Sequence, residues 1–354
     1  MSMLAESKKN SRVTTYVDAL REAVGQEMER DSSVLVFGLD VDDHKGIQGS
    51  TRGLLQRFGS SRVFTTPLSE DAMCGVAIGA AMAGLRPIHV HIRMDFLMLA
   101  MNQLVNIAAK THYMYGGAYK VPMVVRCMIG KSWGQGAQHS QGLHSLFMHV
   151  PGLKVVAPAN AHDVKGCMIA AIRDDNPVIF VEHRLLYGTE ANVPAEPYAA
   201  EIGKGRLVAP GSDITLVGIS NMVMECLRAR ELLAEVGISA AVVDPVWLTP
   251  LDMNTITASA SDTGRVLVVD SAWTSCGASA EIVARLAESE ARPRLGRMGF
   301  APTICPTTPW LEEHFYPNPA TIAAKASSMV RGGDWMPDRE RAHLVYQTKF
   351  RGPF

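Results

Sequence analysis

The chain has 354 residues, 47% of them hydrophobic and 19% charged, with a formal net charge of −1. That length and composition suit two globular domains with cores of useful size. Scattered Lys and Arg exclude a polybasic nucleic-acid or membrane footprint, and no run of about 18 apolar residues predicts a transmembrane span. The cysteines at 74, 127, 167, 226, 276 and 305 form no CxxC pair and read as reduced thiols. The opening MSMLAESKKNSR lacks an apolar core of signal-peptide length, so the chain is expected in the cytoplasm.

Val17, Leu20, Val24 and Met28 recur at helical spacing and predict a helix over 14–30. A short buried strand follows at 34–38, then a polar, glycine-containing loop, DVDDHKGIQGSTRG. A strand at 63–65, a helix of small residues at 72–83, a strand at 86–92 and a helix at 96–109 come next. Strands at 123–128 and 154–157, a helix capped by Asn160 and a strand at 177–181 complete the first set. Repeated strand–helix–strand units of this kind predict a parallel sheet with helices on both faces. The segment 189–203 has prolines and no periodicity and reads as a linker. The alternation then restarts: strands at 213–218, 239–243 and 265–270, and helices from Ser220 to 236, at 252–260 and at 277–290. The predicted fold is α/β with two doubly wound domains, 1–188 and 204–331, followed by a polar tail, 332–354.

Common site patterns are missing. Gly130-Lys131-Ser132 resembles the end of a P-loop, but Val125 stands where the loop's first glycine is required. No GxGxxG leads from a strand into a helix, and no GxSxG elbow occurs. His89 and His91 share a strand face without a nearby third metal ligand, and alternating polar positions on a half-buried strand explain them as well. His139, His144 and His149, five residues apart, do not align on a helix or strand. In PLSEDAMCGVAIGAAMAGLRP, Ser69 is positioned to cap a helix, and Glu70 and Asp71 complement its dipole. A second reading is open: the apolar wall from Ala72 to Ala77 would desolvate one carboxyl, raise its pKa and leave it able to exchange a proton with a ring nitrogen.

That stretch, together with NQLVNIAAKTHYMYGG, GQGAQHSQGLHSLFMHVPGLKVVAPAN and KGCMIAAIRDDNPVIFVEHRLLYG, resembles the beta subunit of the thiamine-diphosphate-dependent 2-oxo acid dehydrogenases, the decarboxylating component of the pyruvate, branched-chain and acetoin systems. The resemblance runs from about residue 14 to about 330. It implies a pyrimidine-binding domain followed by a transketolase C-terminal domain, in an alpha2beta2 heterotetramer whose alpha chain holds Mg²⁺ and the diphosphate. The alpha-chain GDG signature is absent here. By position, Glu70 matches the glutamate that hydrogen-bonds the aminopyrimidine and favours its imino tautomer. Phe96 matches the aromatic packed on that ring, and His139 the histidine implicated in proton transfer and in receiving the acyl acceptor. AAIRDDNP matches a segment that binds K⁺ in several relatives, with Met123, Ala171, Ile172, Asp174 and Asn176 as ligands. Two departures concern the approach to the site: Leu39 stands where an acid is usual, and Val90, Arg93 and Met94 replace a common Glu and smaller or aromatic residues. Arg93 could meet an anionic group of substrate or acceptor, or be a surface arginine. The implied activity is decarboxylation of a 2-oxo acid with acyl transfer to a lipoyl-bearing acyltransferase core. A carboligase with an aldehyde or ketone acceptor is the alternative, and a non-catalytic assembly subunit the second.

Overall fold

The structure, a computed structural model, describes residues 11–131 and 134–338. The first residues of the predicted first domain, Ser132 of the glycine-lysine-serine string, and 339–354 of the predicted tail lie outside them. The chain forms two compact units: 11–129 with 146–202, and 130–145 with 203–338.

In the first unit, β1 (Ser11–Thr15) pairs antiparallel with β8 (Glu190–Pro194). Six further strands lie parallel in the order β6-β7-β5-β4-β2-β3: β2 (Val34–Gly38), β3 (Val63–Thr65), β4 (Arg86–His91), β5 (Val124–Ile129), β6 (Lys154–Val156) and β7 (Val178–His183). Every residue of β2, β5 and β7 is buried. Near-continuous apolar runs such as VLVFG have this outcome because helices cover both faces of a parallel sheet. The Tyr16–Arg30 helix starts at Thr15, whose hydroxyl accepts from the Asp18 N–H at 3.2 Å. Its buried face (Leu20, Ala23, Val24, Met28) packs on the Ala161–Arg173 helix. Each large apolar side chain enclosed there contributes about 1.5–3 kcal/mol. Asn160 caps the latter helix as expected, accepting from the Asp163 N–H at 2.9 Å.

The second unit's sheet has the order β14-β13-β10-β11-β9, from β9 (Arg206–Ala209), β10 (Ile214–Gly218), β11 (Ala240–Asp244), β13 (Arg265–Trp273) and β14 (Arg294–Phe300). Only β9 runs antiparallel in it. The three-residue β12 (Trp247–Thr249) stands outside this sheet.

Four local expectations are corrected. The segment expected as a linker contains β8, because β1 supplies a pairing partner that strand propensity does not reveal. Residues 130–145, placed by sequence in the first domain, fold with the second unit. Ser220 does not cap a helix: its φ is +56°, and the Met222–Glu235 helix starts after Asn221 without a side-chain cap. The predicted 96–109 helix is four pieces: Met94–Leu97, a 3₁₀ turn at Met98–Ala100, π-helical Asn102–Ala108, and Ala109–Met114. Such wide turns recur near functional sites.

Candidate functional site

Strand order picks out one candidate edge. β2 lies between β3 and β4. The chain leaves β2 toward β3 on one side, then crosses back to β4 and continues to β5 on the other. Ligand crevices of doubly wound sheets form outside the carboxyl ends at such a reversal. Gly38 aligns with Thr65 of β3 and Val90 of β4, so the three strands end level. A Cβ at Gly38 would stand 2.3 Å from the Val90 carbonyl oxygen, so no other residue fits without moving the strands. The Gly38 carbonyl accepts from Thr66 N–H at 3.1 Å and Thr65 Oγ1 at 3.3 Å, tying the exit of β3 to that of β2.

Four residues singled out from the sequence leave this one edge. Leu39 follows β2 and is half-buried. Glu70 follows β3 and opens the Glu70–Met82 helix, where the backbone dipole favours an anion. It is half-buried, and its carboxylate has no hydrogen bond or ion pair among the described residues. Arg93 and Phe96 follow β4 and are partly buried. Arg93 Nη1 donates to the Ile92 carbonyl at 2.9 Å, while its buried Nε has no hydrogen-bond partner among the described residues. Burial pulls the guanidinium below the usual arginine value, opposed by Asp95 and the Tyr187 phenol.

Two expectations around Glu70 are overturned. Ser69 makes no capping bond with its side chain. Nor is the helix a buried wall: Cys74, Ala77, Ile78 and Ala81 face the core, while Asp71, Ala72 and Val76 are exposed. A helix of small residues fits an interior and a closely packed interface equally well, so composition could not separate the two. The enclosed Cys74 thiol is pushed up to about 12 by burial.

His89 and His91 stack edge to face with centroids 4.3 Å apart, and both are buried. His89 Nδ1 meets the Phe37 carbonyl oxygen at 3.3 Å. No group of three or more His, Cys, Asp or Glu suited to a metal ion occurs among the described residues. Burial lowers His89 to about 4 and His91 well below the ordinary imidazole value. The unfolded imidazole binds a proton near 6.5, so between pH 6.5 and about 4 the unfolded chain takes up more protons and stability falls as pH is lowered. Moving from pH 7.5 to 5.5 should cost about 1.4 kcal/mol for His89 alone, with more from His91. Urea unfolding at the two pH values checks this, and His89→Asn should reduce the difference to the share of His91.

At the opposite, amino edge of the sheet, the residues implied for K⁺ are brought together. The Met123 carbonyl accepts from Val178 N–H at 2.9 Å. Arg86 Nη1 donates to the carbonyls of Ile172 and Asp174, both at 2.9 Å. Lys154 Nζ lies 2.9 Å from Asp174 Oδ1, which also accepts from Asn176 N–H at 2.8 Å. Helix-end carbonyls with a second lone pair suit a hard cation. Arg86 and Lys154 already place positive charge on the same turn.

His139, half-buried, belongs to the second unit. Its loop presses Gly134 and Gly136 (φ +76° and +66°) against Thr307, and Lys131 Nζ lies 5.3 Å from the Tyr316 ring centre. His144, dismissed from periodicity, is fully buried with Nε2 3.1 Å from Asp270 Oδ2. A spacing of five carries no signal for it, because its partner is 126 residues away.

With this geometry in view, comparisons with known proteins are informative. A family model described as the transketolase pyrimidine binding domain matches residues 13–190, and one described as the transketolase C-terminal domain matches 203–322. The beta subunit of acetoin:2,6-dichlorophenolindophenol oxidoreductase from Cupriavidus necator is 42% identical over 328 residues, covering 89% of this chain and 97% of that protein. The beta subunit of the human mitochondrial pyruvate dehydrogenase E1 component is 41% identical over 281 residues, 78% of each chain. A solved structure titled split gene transketolase, inactive beta4 tetramer, superposes with a TM-score of 0.74 at 20% identity, covering 88% of this chain and 97% of that one.

Proposed function

This chain belongs to the transketolase-type beta subunits of the 2-oxo acid dehydrogenases, and from that premise we propose that it supplies the pyrimidine half of a thiamine-diphosphate site, completed by an alpha subunit in an alpha2beta2 assembly. The observation that carries the reading is Glu70: a carboxylate with no protein partner among the described residues, at the switch-point edge. Such a group fits a cofactor ring nitrogen. When bound, the cofactor supplies the electron sink for decarboxylation of a 2-oxo acid. Glu70 holds or releases a proton at that nitrogen, Phe96 gives the ring an apolar surface, and His139 serves proton transfer and the incoming acyl acceptor. The alpha subunit holds Mg²⁺.

Surface composition supports a partner. Leu68, Val76, Leu99, Tyr113, Met114 and Tyr115 are each more than half exposed in the lone chain. A soluble monomer seldom leaves so many large apolar side chains uncovered. A lipoyl-bearing acyltransferase core as acceptor belongs to the same proposal. Arg93, half-buried and with an Nε that has no partner among the described residues, favours the second reading of a carboligase whose aldehyde or ketone acceptor carries an anionic group. The non-catalytic reading is weakest, since the sequence keeps both Glu70 and His139.

The test is affinity capture of the tagged chain from its own organism, with mass spectrometry of what it retains. An alpha-type chain together with a lipoyl-bearing acyltransferase is the expected result. The alpha-type chain alone supports the carboligase, and neither would return the chain to the assembly reading. A structural K⁺ on Met123, Ala171, Ile172, Asp174 and Asn176 is part of the proposal too. KCl should raise the melting temperature by about 2 °C or more over choline chloride at equal ionic strength. An equal rise in NaCl, or none, removes the ion.

A further inference from the structure

We infer that His144 is a positioning residue for His139, acting through its buried hydrogen bond to Asp270. The inference rests on the role proposed above for His139.

The second unit has its own strand-order reversal, between β10 and β13, since the chain goes from β10 to β11 on one side and then crosses to β13 on the other. There β10 ends at Gly218, in register with Val269 of β13, and the Ile219 N–H donates to the Val269 carbonyl at 3.0 Å. Asp270 and Ser271 are the next residues of β13, beyond the end of β10. A crevice at this place commonly takes a ligand. Here the His139 loop docks on it. A Cβ at Gly142 would stand 2.0 Å from the Ser271 carbonyl oxygen, so the loop backbone lies against the strand end. Two residues on, the His144 ring reaches Asp270, and both side chains are wholly enclosed.

The other end of the loop is held as well. Gly134 and Gly136 approach Thr307 closely, and Lys131 lies over the Tyr316 ring. His139 thus stands between two anchors on one unit, and the His144–Asp270 bond gives the second of them a polar, directional contact. Apolar packing in its place would hold the loop without fixing its register, whereas the single Nε2–Oδ2 bond is directional; His144 Nδ1 and Asp270 Oδ1 are buried with no hydrogen-bond partner among the described residues. Both side chains are fully buried, so the effect on the reaction is assigned to the loop that carries His139.

The test uses the reconstituted alpha–beta complex with His144→Ala and His144→Gln, whose amide can still donate to Asp270. Two measurements are made. One is hydrogen exchange of residues 134–143 against the β10 and β11 core. The other is turnover of pyruvate with a free lipoyl domain compared with turnover using 2,6-dichlorophenolindophenol as electron acceptor. His144→Ala should speed exchange of the loop but not of the core, and lower lipoyl transfer about tenfold or more relative to the dye-linked rate. His144→Gln should recover most of both, and in a His139→Ala background His144→Ala should leave the ratio unchanged. Unchanged loop exchange, or equal losses with both acceptors alongside a lower melting temperature, overturns the inference. A wild-type complex inactive with every 2-oxo acid and acceptor would instead refute the functional reading, and loop exchange would still decide whether His144 positions the loop.

Discussion

Glu70→Gln should reduce 2-oxo acid decarboxylation by the reconstituted complex about 10²–10⁴-fold, the usual contribution of a positioned acid or base. Assembly and melting temperature should change little. Glu70 is half-buried with no protein partner among the described residues, so the amide breaks no bond in the fold. Only the modest attraction between a carboxylate and the helix N-terminus is lost, about 0.3–1 kcal/mol. The amide has the same shape but cannot carry the proton the proposal assigns to the site. Dye-linked turnover reports the chemistry, and sedimentation of the complex reports assembly. Activity within a few-fold of wild type would remove Glu70 from the mechanism. Loss of activity with loss of assembly would mean the residue serves the subunit contact instead.

How legible the site was depends on what each residue contacts. Leu39, Glu70, Arg93 and Phe96 were singled out as isolated positions, and parallel strand pairing gathers them at one edge. The central strands were readable because burial on both faces demands unbroken apolar runs. Edge elements were not. β14 reads RLGRMGF, with two arginines, and is a strand only because β13 offers it a ladder. β8 reads EANVP and depends in the same way on β1. The exposed face of the Glu70–Met82 helix was hidden because small residues serve cores and interfaces alike. His144–Asp270 was out of reach for a different reason: a buried polar pair is a tertiary fact, and neither residue carries a local mark of its partner.

The largest effect on stability should come from a pair that the sequence did not suggest. Arg126 donates to Glu182 through Nε at 2.6 Å and Nη2 at 2.9 Å, and the Tyr187 hydroxyl donates to the same carboxylate at 2.6 Å. Both charged side chains are fully enclosed between β5 and β7. Glu182 holds Arg126 more firmly protonated than a free arginine against the opposing effect of burial, so the guanidinium cannot escape by losing its proton. Glu182→Gln should therefore leave a buried cation without its counter-charge, at a cost of about 3–5 kcal/mol. Arg126→Met together with Glu182→Leu should cost far less, because removing both charges removes the desolvation penalty with them. The register adds a sharper test. Val90 of β4 stands beside Arg126, at the position where the family resemblance places a Glu, and Arg126 Nη1 has no hydrogen-bond partner among the described residues. Val90→Glu introduced into Glu182→Gln should thus restore about 1–2 kcal/mol by offering a replacement carboxylate, a coupling that independent sites do not show. Denaturant unfolding of the wild type, Val90→Glu, Glu182→Gln and their combination measures it. Additive losses would mean that Arg126 is held by packing rather than by charge.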